Sequence, residues 1–208
     1  MLNRIKLIIL YLIISTQCFS QEKDIRVYAG WNILQIYNNS EELINGVIHK
    51  TTYSGRPGFQ FGTAVSFGNK LFIQPAIQYI LLSTKTITEN TANSTIYIDE
   101  TKLNIVSIPI KMGIKIPISK NEDIFGLRVF CGLNSQYAVY INHFKKSNII
   151  NAPTYSSFIL NADTGLTLDI FFLFIEFGYQ MGLTPIQPSI STGSNSNFYT
   201  NFGFKLNI

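Results

Sequence analysis

Charge is the first thing this chain has little of. Only 13% of its 208 residues are Asp, Glu, Lys or Arg, about half of the roughly 25% usual in soluble domains. The formal net charge is +4 and no dense Lys/Arg patch occurs, so the electrostatic footprint of a nucleic-acid binder is missing. Long hydrophobic runs are absent as well. No stretch approaches the roughly 20 apolar residues of a spanning helix, which excludes a polytopic helical membrane protein. Cysteine and histidine are scarce, two of each, and no spaced Cys/His framework for a metal exists. Disorder is excluded from the other direction, because 46% of the residues are hydrophobic and 13% aromatic. What remains is a charge-poor, β-rich chain of one domain.

Residues 1–20 read as a cleaved secretory signal. Arg4 and Lys6 form a positive start, Leu7 to Ile14 an apolar run, and Cys18-Phe19-Ser20 a small-x-small site before Gln21. Acylation of Cys18 is disfavoured by Gln17, which stands where a lipobox carries a small residue. Cleavage leaves 14 basic residues against 12 acidic ones, a charge of +2, and Cys131 as the lone cysteine. The mature chain, 21–208, is then held without an internal disulfide.

That chain alternates apolar and polar residues with period two, the signature of strands with two unlike faces. In the last segment Phe198, Thr200, Phe202, Phe204, Leu206 and Ile208 share one face, a set that no helix places together. Seven further stripes begin at Ile25, Phe59, Leu71, Ile108, Phe125, Phe158 and Phe171 and take every second residue. Eight strands result. Short connections are expected at Gly68-Asn69-Lys70, at 119–123 and near Asp169-Ile170. Long polar stretches, Gln35 to Gly55, Ser83 to Thr101, Asn142 to Ser157 and Thr184 to Asn197, read as loops. Short turns at one end and long loops at the other are the pattern of an up-and-down transmembrane barrel.

Eight such strands also suit a soluble sandwich or barrel with the apolar face inward. Three features favour the inverted, membrane arrangement. The eight apolar faces hold no Asp, Glu, Lys or Arg. The opposite face is too small and too uncharged for a wet surface, as Gly58, Gln60, Gly62, Ala64 and Ser66 illustrate. Aromatics gather at the strand ends in two belts. Trp31, Phe59, Tyr79, Tyr137, Phe158, Tyr179 and Phe198 lie towards the long loops, and Phe67, Phe125 and Phe171 towards the short turns. The fold expected is therefore all-β, an eight-stranded antiparallel up-and-down transmembrane β-barrel.

Three segments carry a family resemblance. They are Arg56-Pro57-Gly58-Phe59-Gln60-Phe61-Gly62, then Val106-Ser107-Ile108-Pro109-Ile110-Lys111, and Ile175 to Leu183. Together they resemble the porin-like, PorT-type small outer-membrane barrels common in Bacteroidota. In that family a basic residue commonly stands at the place of Gly178. The chain end, with Asn201, Gly203, Leu206 and Ile208, is similar to the signal read by the barrel-assembly machinery, without its final aromatic. The resemblance implies an outer-membrane location in a Gram-negative bacterium, outer-membrane lipid and the assembly machinery as partners, and, for some members, a secretion complex or surface partner.

An eight-stranded barrel is just wide enough to be filled by its own side chains. The inward positions place Arg26, Lys111, Lys115, Arg128, Asp163, Glu176 and Lys205 in its lumen. Buried charges must be paired, so a salt-bridge network is expected, with Glu176 and Arg128 as one pair. An anion-binding or gating cluster is the functional alternative. If the network holds the barrel, Glu176→Ala lowers its melting temperature. No catalytic, cofactor or metal residues are identified. His49 and His143 lie in or beside long loops, with no Ser and carboxylate converging on them as a hydrolase needs. The function expected is a non-enzymatic barrel that works through its loops or as an accessory of a membrane or secretion assembly. The alternatives are a barrel that binds or passes a small ligand and, behind it, a lipid-modifying enzyme.

Overall fold

The computed structural model describes residues 23–36, 39–44, 47–90, 95–118, 125–145, 155–186 and 195–208. The expected signal, 1–20, the expected short connection 119–123 and most of the two expected loops 142–157 and 184–197 lie outside them. The regular structure of the described residues is all strand: β1 Lys23–Ile36, β2 Asn39–Ile44, β3 Val47–Phe67, β4 Leu71–Asn90, β5 Thr95–Pro117, β6 Phe125–Lys145, β7 Phe158–Ile170, β8 Leu173–Gly182 and β9 Asn195–Asn207. Each strand pairs antiparallel with its sequence neighbour from β2 to β9. β1 pairs with both β9 and β3. That double pairing closes a barrel of eight staves, with the short β2 added above β1 on the outer part of β3.

The alternation seen in the sequence points outward. Val27, Trp31, Phe61, Ile77, Ile110, Met112, Leu133, Phe177 and Phe204 are each roughly half exposed, while their strand neighbours are buried or, where they are glycines such as Gly62 and Gly203, partly buried. A continuous wall of such residues has no place in water; hydrocarbon is the solvent it fits. Even the hydroxyl of Thr164 on this face is satisfied, donating to the Phe130 carbonyl at 3.1 Å. The aromatic rings meet across strands: Tyr179 with Phe198 at 4.7 Å, Tyr137 with Phe158 at 5.0 Å and Phe61 with Tyr79 at 5.5 Å between centroids.

Two expectations about connections are corrected. The last short turn is Phe171-Phe172, not Asp169-Ile170, because Ile170 pairs with Leu173. Phe171 therefore leaves its stripe and takes φ of 60°, the first central place of a two-residue turn that usually carries Gly. The stretches 35–55 and 83–101, read as loops, are largely strand. β3 to β6 run for 20 to 23 residues, twice the roughly 9–11 that span a bilayer. Their outer halves mix polar and apolar residues without a sustained period-two pattern, and β-branched residues such as Thr84, Thr86, Ile87 and Thr88 favour strand there.

Candidate functional site

The lumen is layered along the barrel axis, and each layer follows from which residue each strand turns inward at that height. Nearest the short turns lies a charged layer. Two guanidiniums and two carboxylates interlock there. Arg26 donates from Nε to Asp24 at 2.7 Å and from Nη2 to both oxygens of Asp169 at 2.9 and 2.8 Å. Arg128 donates from Nε to Asp169 and from Nη2 to Asp24, each at 2.7 Å, and from Nη1 to Ser66 at 2.9 Å. All four charged groups are at most 5% exposed. Phe174 lies 4.7 Å beneath the Arg26 guanidinium and Phe72 5.3 Å from that of Arg128. Lys115 and Lys205 flank the square, 4.0 Å from Asp24 and Asp169 respectively.

Above the square, Lys111 donates to Glu176 at 2.7 Å and stands over the Phe130 ring at 4.5 Å. Glu176 also accepts from Asn201 at 2.9 Å and Thr167 at 3.3 Å. The Tyr199 hydroxyl donates to Asp163 at 2.9 Å. An amide layer follows. Gln60 donates to Asn201 at 2.7 Å, Gln78 to Ser107 at 3.2 Å, and Ser107 hydrogen-bonds Asn134. Towards the long loops the lumen turns apolar, with Leu34, Ile80, Leu82, Leu103, Ile105 and Ile159 in one cluster. Tyr155 and Ile186, from the connections β6–β7 and β8–β9, close over that cluster. The Tyr155 and Thr84 hydroxyls hydrogen-bond at 2.7 Å, and Ser156 holds both the Pro185 and Ile186 carbonyls at 2.9 Å.

The described residues thus form a closed antiparallel barrel, apolar outside and largely polar within, with short turns at one end. The family model for the outer membrane protein β-barrel domain matches residues 19–187, most of the chain. The chain belongs to that family. This outer-membrane barrel therefore sits with its short turns, and its charged layer, towards the periplasm.

No curated protein sequence matches the barrel significantly. Among solved structures it is similar to the outer membrane protein OprG from Pseudomonas aeruginosa, at 12% identity and a TM-score of 0.48, covering 89% of this chain and 97% of that one. It is also similar to the outer membrane protein Ail of Yersinia pestis, at 13% identity and a TM-score of 0.42, covering 90% and 100%.

All seven charged residues expected in the lumen face it, but they divide. Arg26, Lys115, Arg128 and Lys205 gather at the periplasmic end, whereas Lys111, Asp163 and Glu176 form the level above. The expected Glu176–Arg128 pair is not made. Arg128, Thr167 and Glu176 lie in one row across β6, β7 and β8, so two strand spacings, roughly 10 Å, separate the backbones of the two charged residues. Each takes a nearer partner. The acids that Arg26 and Arg128 do use, Asp24 and Asp169, were missed because one precedes the first apolar stripe and the other looked like a turn. Parity would have found both, since 24 shares a face with 26 and 169 with 163. The apolar cluster was missed because the lumen-facing positions were read for their charges alone, although Leu34, Ile80 and Ile159 have the parity of the lumen face. Its trace is the doubling that breaks alternation, as in Ile33-Leu34 and Leu81-Leu82. His49 and His143 stand on the outer parts of β3 and β6, far along the strands from the charged layer. Among the described residues no group of three or more His, Cys, Asp or Glu could hold a metal.

Proposed function

We propose that this barrel is non-conducting and non-enzymatic, and acts through the sheet it raises above the outer membrane. The carrying observation is the mismatch between strand length and membrane thickness. β3 to β6 continue about ten residues beyond what spanning requires, joined by cross-strand pairs such as Arg56 with Glu100 at 2.9 Å. A rigid projecting sheet positions its tips for a macromolecular partner, as loops on a fixed scaffold commonly do. The lumen supports this reading. Arg26, Asn32, Gln60, Ile80, Ile105, Asn134 and Asn201 are at most 1% exposed, whereas side chains lining a water-filled pore remain wet.

The finer assignment, an accessory of a secretion or surface assembly in the PorT-type branch, is supported by the Pro-Gly-Phe and Ile-Pro-Ile-Lys segments, now placed in β3 and β5. The test is a strain in which 86–99 are replaced by a two-residue turn. Its outer-membrane composition and secreted proteins should match those of the full deletion while the barrel is still inserted. Wild-type secretion from the trimmed barrel, or stepwise conductance of the purified protein in planar bilayers, would reject the proposal.

A further inference from the structure

The lipid-facing side of the barrel changes character abruptly at its outer rim. Its outward positions are uncharged from Phe67 to Phe59 on β3, from Leu71 to Leu81 on β4 and from Ile116 to Asn104 on β5. The next charged residue outward is basic on all three strands: Arg56, Lys85 and Lys102. The bulge between Arg56 and Phe59 brings Arg56 onto this face, opposite Ser83. Arg56, Ser83 and Lys102 then stand in one row across β3, β4 and β5. Two strand spacings, roughly 10 Å, separate the backbones of the two bases. Lys85 lies one outward step beyond Ser83, on the strand between them. Corners this close let three long side chains converge on one group.

Not all of these bases are unpartnered. Arg56 donates from Nη2 to Glu100 at 2.9 Å, and Lys102 has a partner of its own. The Arg56–Glu100 pair is open to solvent, at 44% and 31% exposure of the two side chains. Such a pair is worth at most about 1 kcal/mol and yields to a stronger acceptor. Height, not a surplus of charge, is what marks the patch. On a strand tilted by about 45°, each two-residue step climbs roughly 5 Å. The Arg56 row is therefore about 5 Å above Leu81 and Lys85 about 10 Å. Headgroups occupy roughly 5–8 Å on each side of the hydrocarbon core, and lysine and arginine stems extend naturally along that boundary. A phosphate at this depth offers three acceptor oxygens and roughly −1.5 to −2 charges. Arginine binds it through two parallel N–H donors and lysine as a point charge.

We propose that Arg56, Lys85 and Lys102 form a site for the headgroup phosphate of an outer-leaflet lipid, held against the outer wall of β3 to β5. The site is independent of whatever the strand tips bind. The barrel, refolded in uncharged maltoside detergent, is titrated with diphosphoryl lipid A, and native mass spectrometry counts the lipids retained. One retained lipid is expected. Arg56→Gln/Lys85→Gln/Lys102→Gln should weaken its retention at least about tenfold, and the same lipid stripped of its phosphates should not be held. Glu100→Gln, which releases Arg56, should strengthen retention a few-fold. Lys70→Gln, at the opposite mouth, should leave it unchanged. Heat-modifiable gel mobility checks that each variant is folded; if the triple variant is not, Lys85→Gln alone takes its place, with a smaller loss expected. Equal retention by the folded variant, or of the lipid without phosphates, overturns the proposal. So does retention of an oligoglutamate peptide in place of the lipid, which would make the patch a protein-docking surface.

Discussion

Asp24 and Asp169 each accept from both Arg26 and Arg128, so removing one acid leaves two buried guanidiniums on a single carboxylate. Breaking a buried pair from one side costs about 3–5 kcal/mol. Asp169→Asn should lower the unfolding free energy of the refolded barrel by that order in a urea titration. A loss below about 1 kcal/mol would mean that the square is dispensable. Gly178 offers a second test at this scale. A Cβ there would meet the Tyr199 ring, with Cζ 2.0 Å away. Tyr199 is itself buried and held by Asp163. The ring occupies the space into which a larger side chain at this position would reach. Gly178→Ala should cost about 1–3 kcal/mol by overpacking, and Tyr199→Ala introduced with it should recover part of that. No recovery would locate the strain elsewhere.

At the scale of elements, the spanning parts of the strands were legible and their outer continuations were not. Alternation exists only where one face meets lipid and the other the lumen. Beyond the membrane β4 and β5 mix polar residues with apolar ones such as Ile87 and Ile98, and pairing, such as Lys85 with Glu100 and Thr88 with Tyr97, holds them extended. The bulge at Asn104/Ile105 leaves Val139 and Tyr140 both 57% exposed, a break in alternation that no local pattern announces. Turns respond to the same limits. Gly68 adopts φ of 114°, and a Cβ there would stand 2.1 Å from the Leu71 carbonyl oxygen. Gly68→Ala should therefore destabilise the barrel by about 1–3 kcal/mol, read as a lower urea midpoint. An unchanged midpoint would show that the β3–β4 turn can re-form without strain. Phe171 tolerates positive φ without being Gly, at a cost of about 1–2 kcal/mol, because its ring is set beside Phe172, which in turn stacks on Phe204.

For the whole molecule the decisive property is which side of the wall meets water. Cys131 is exposed on the outer face, at the level where that face meets hydrocarbon. In vesicles it should resist a charged, water-soluble maleimide, react with an apolar one, and react with both after unfolding in urea. Rapid labelling by the charged reagent in folded vesicles would place this face in water and undo the membrane reading. The sequence by itself determined the number of staves, their outward faces and the short-turn end, because lipid contact demands an uncharged residue at every second position. It also placed seven charges in the lumen. Which charges pair was decided only by the closed barrel, since partners such as Lys111 and Glu176 lie on β5 and β8 and meet across the interior. The same closure gathered Leu34, Ile80 and Ile105 into one apolar plug and set Lys115 and Lys205 beside the acids of the periplasmic layer. Alternation records the solvent on each side of a strand, but says nothing of which strand stands opposite.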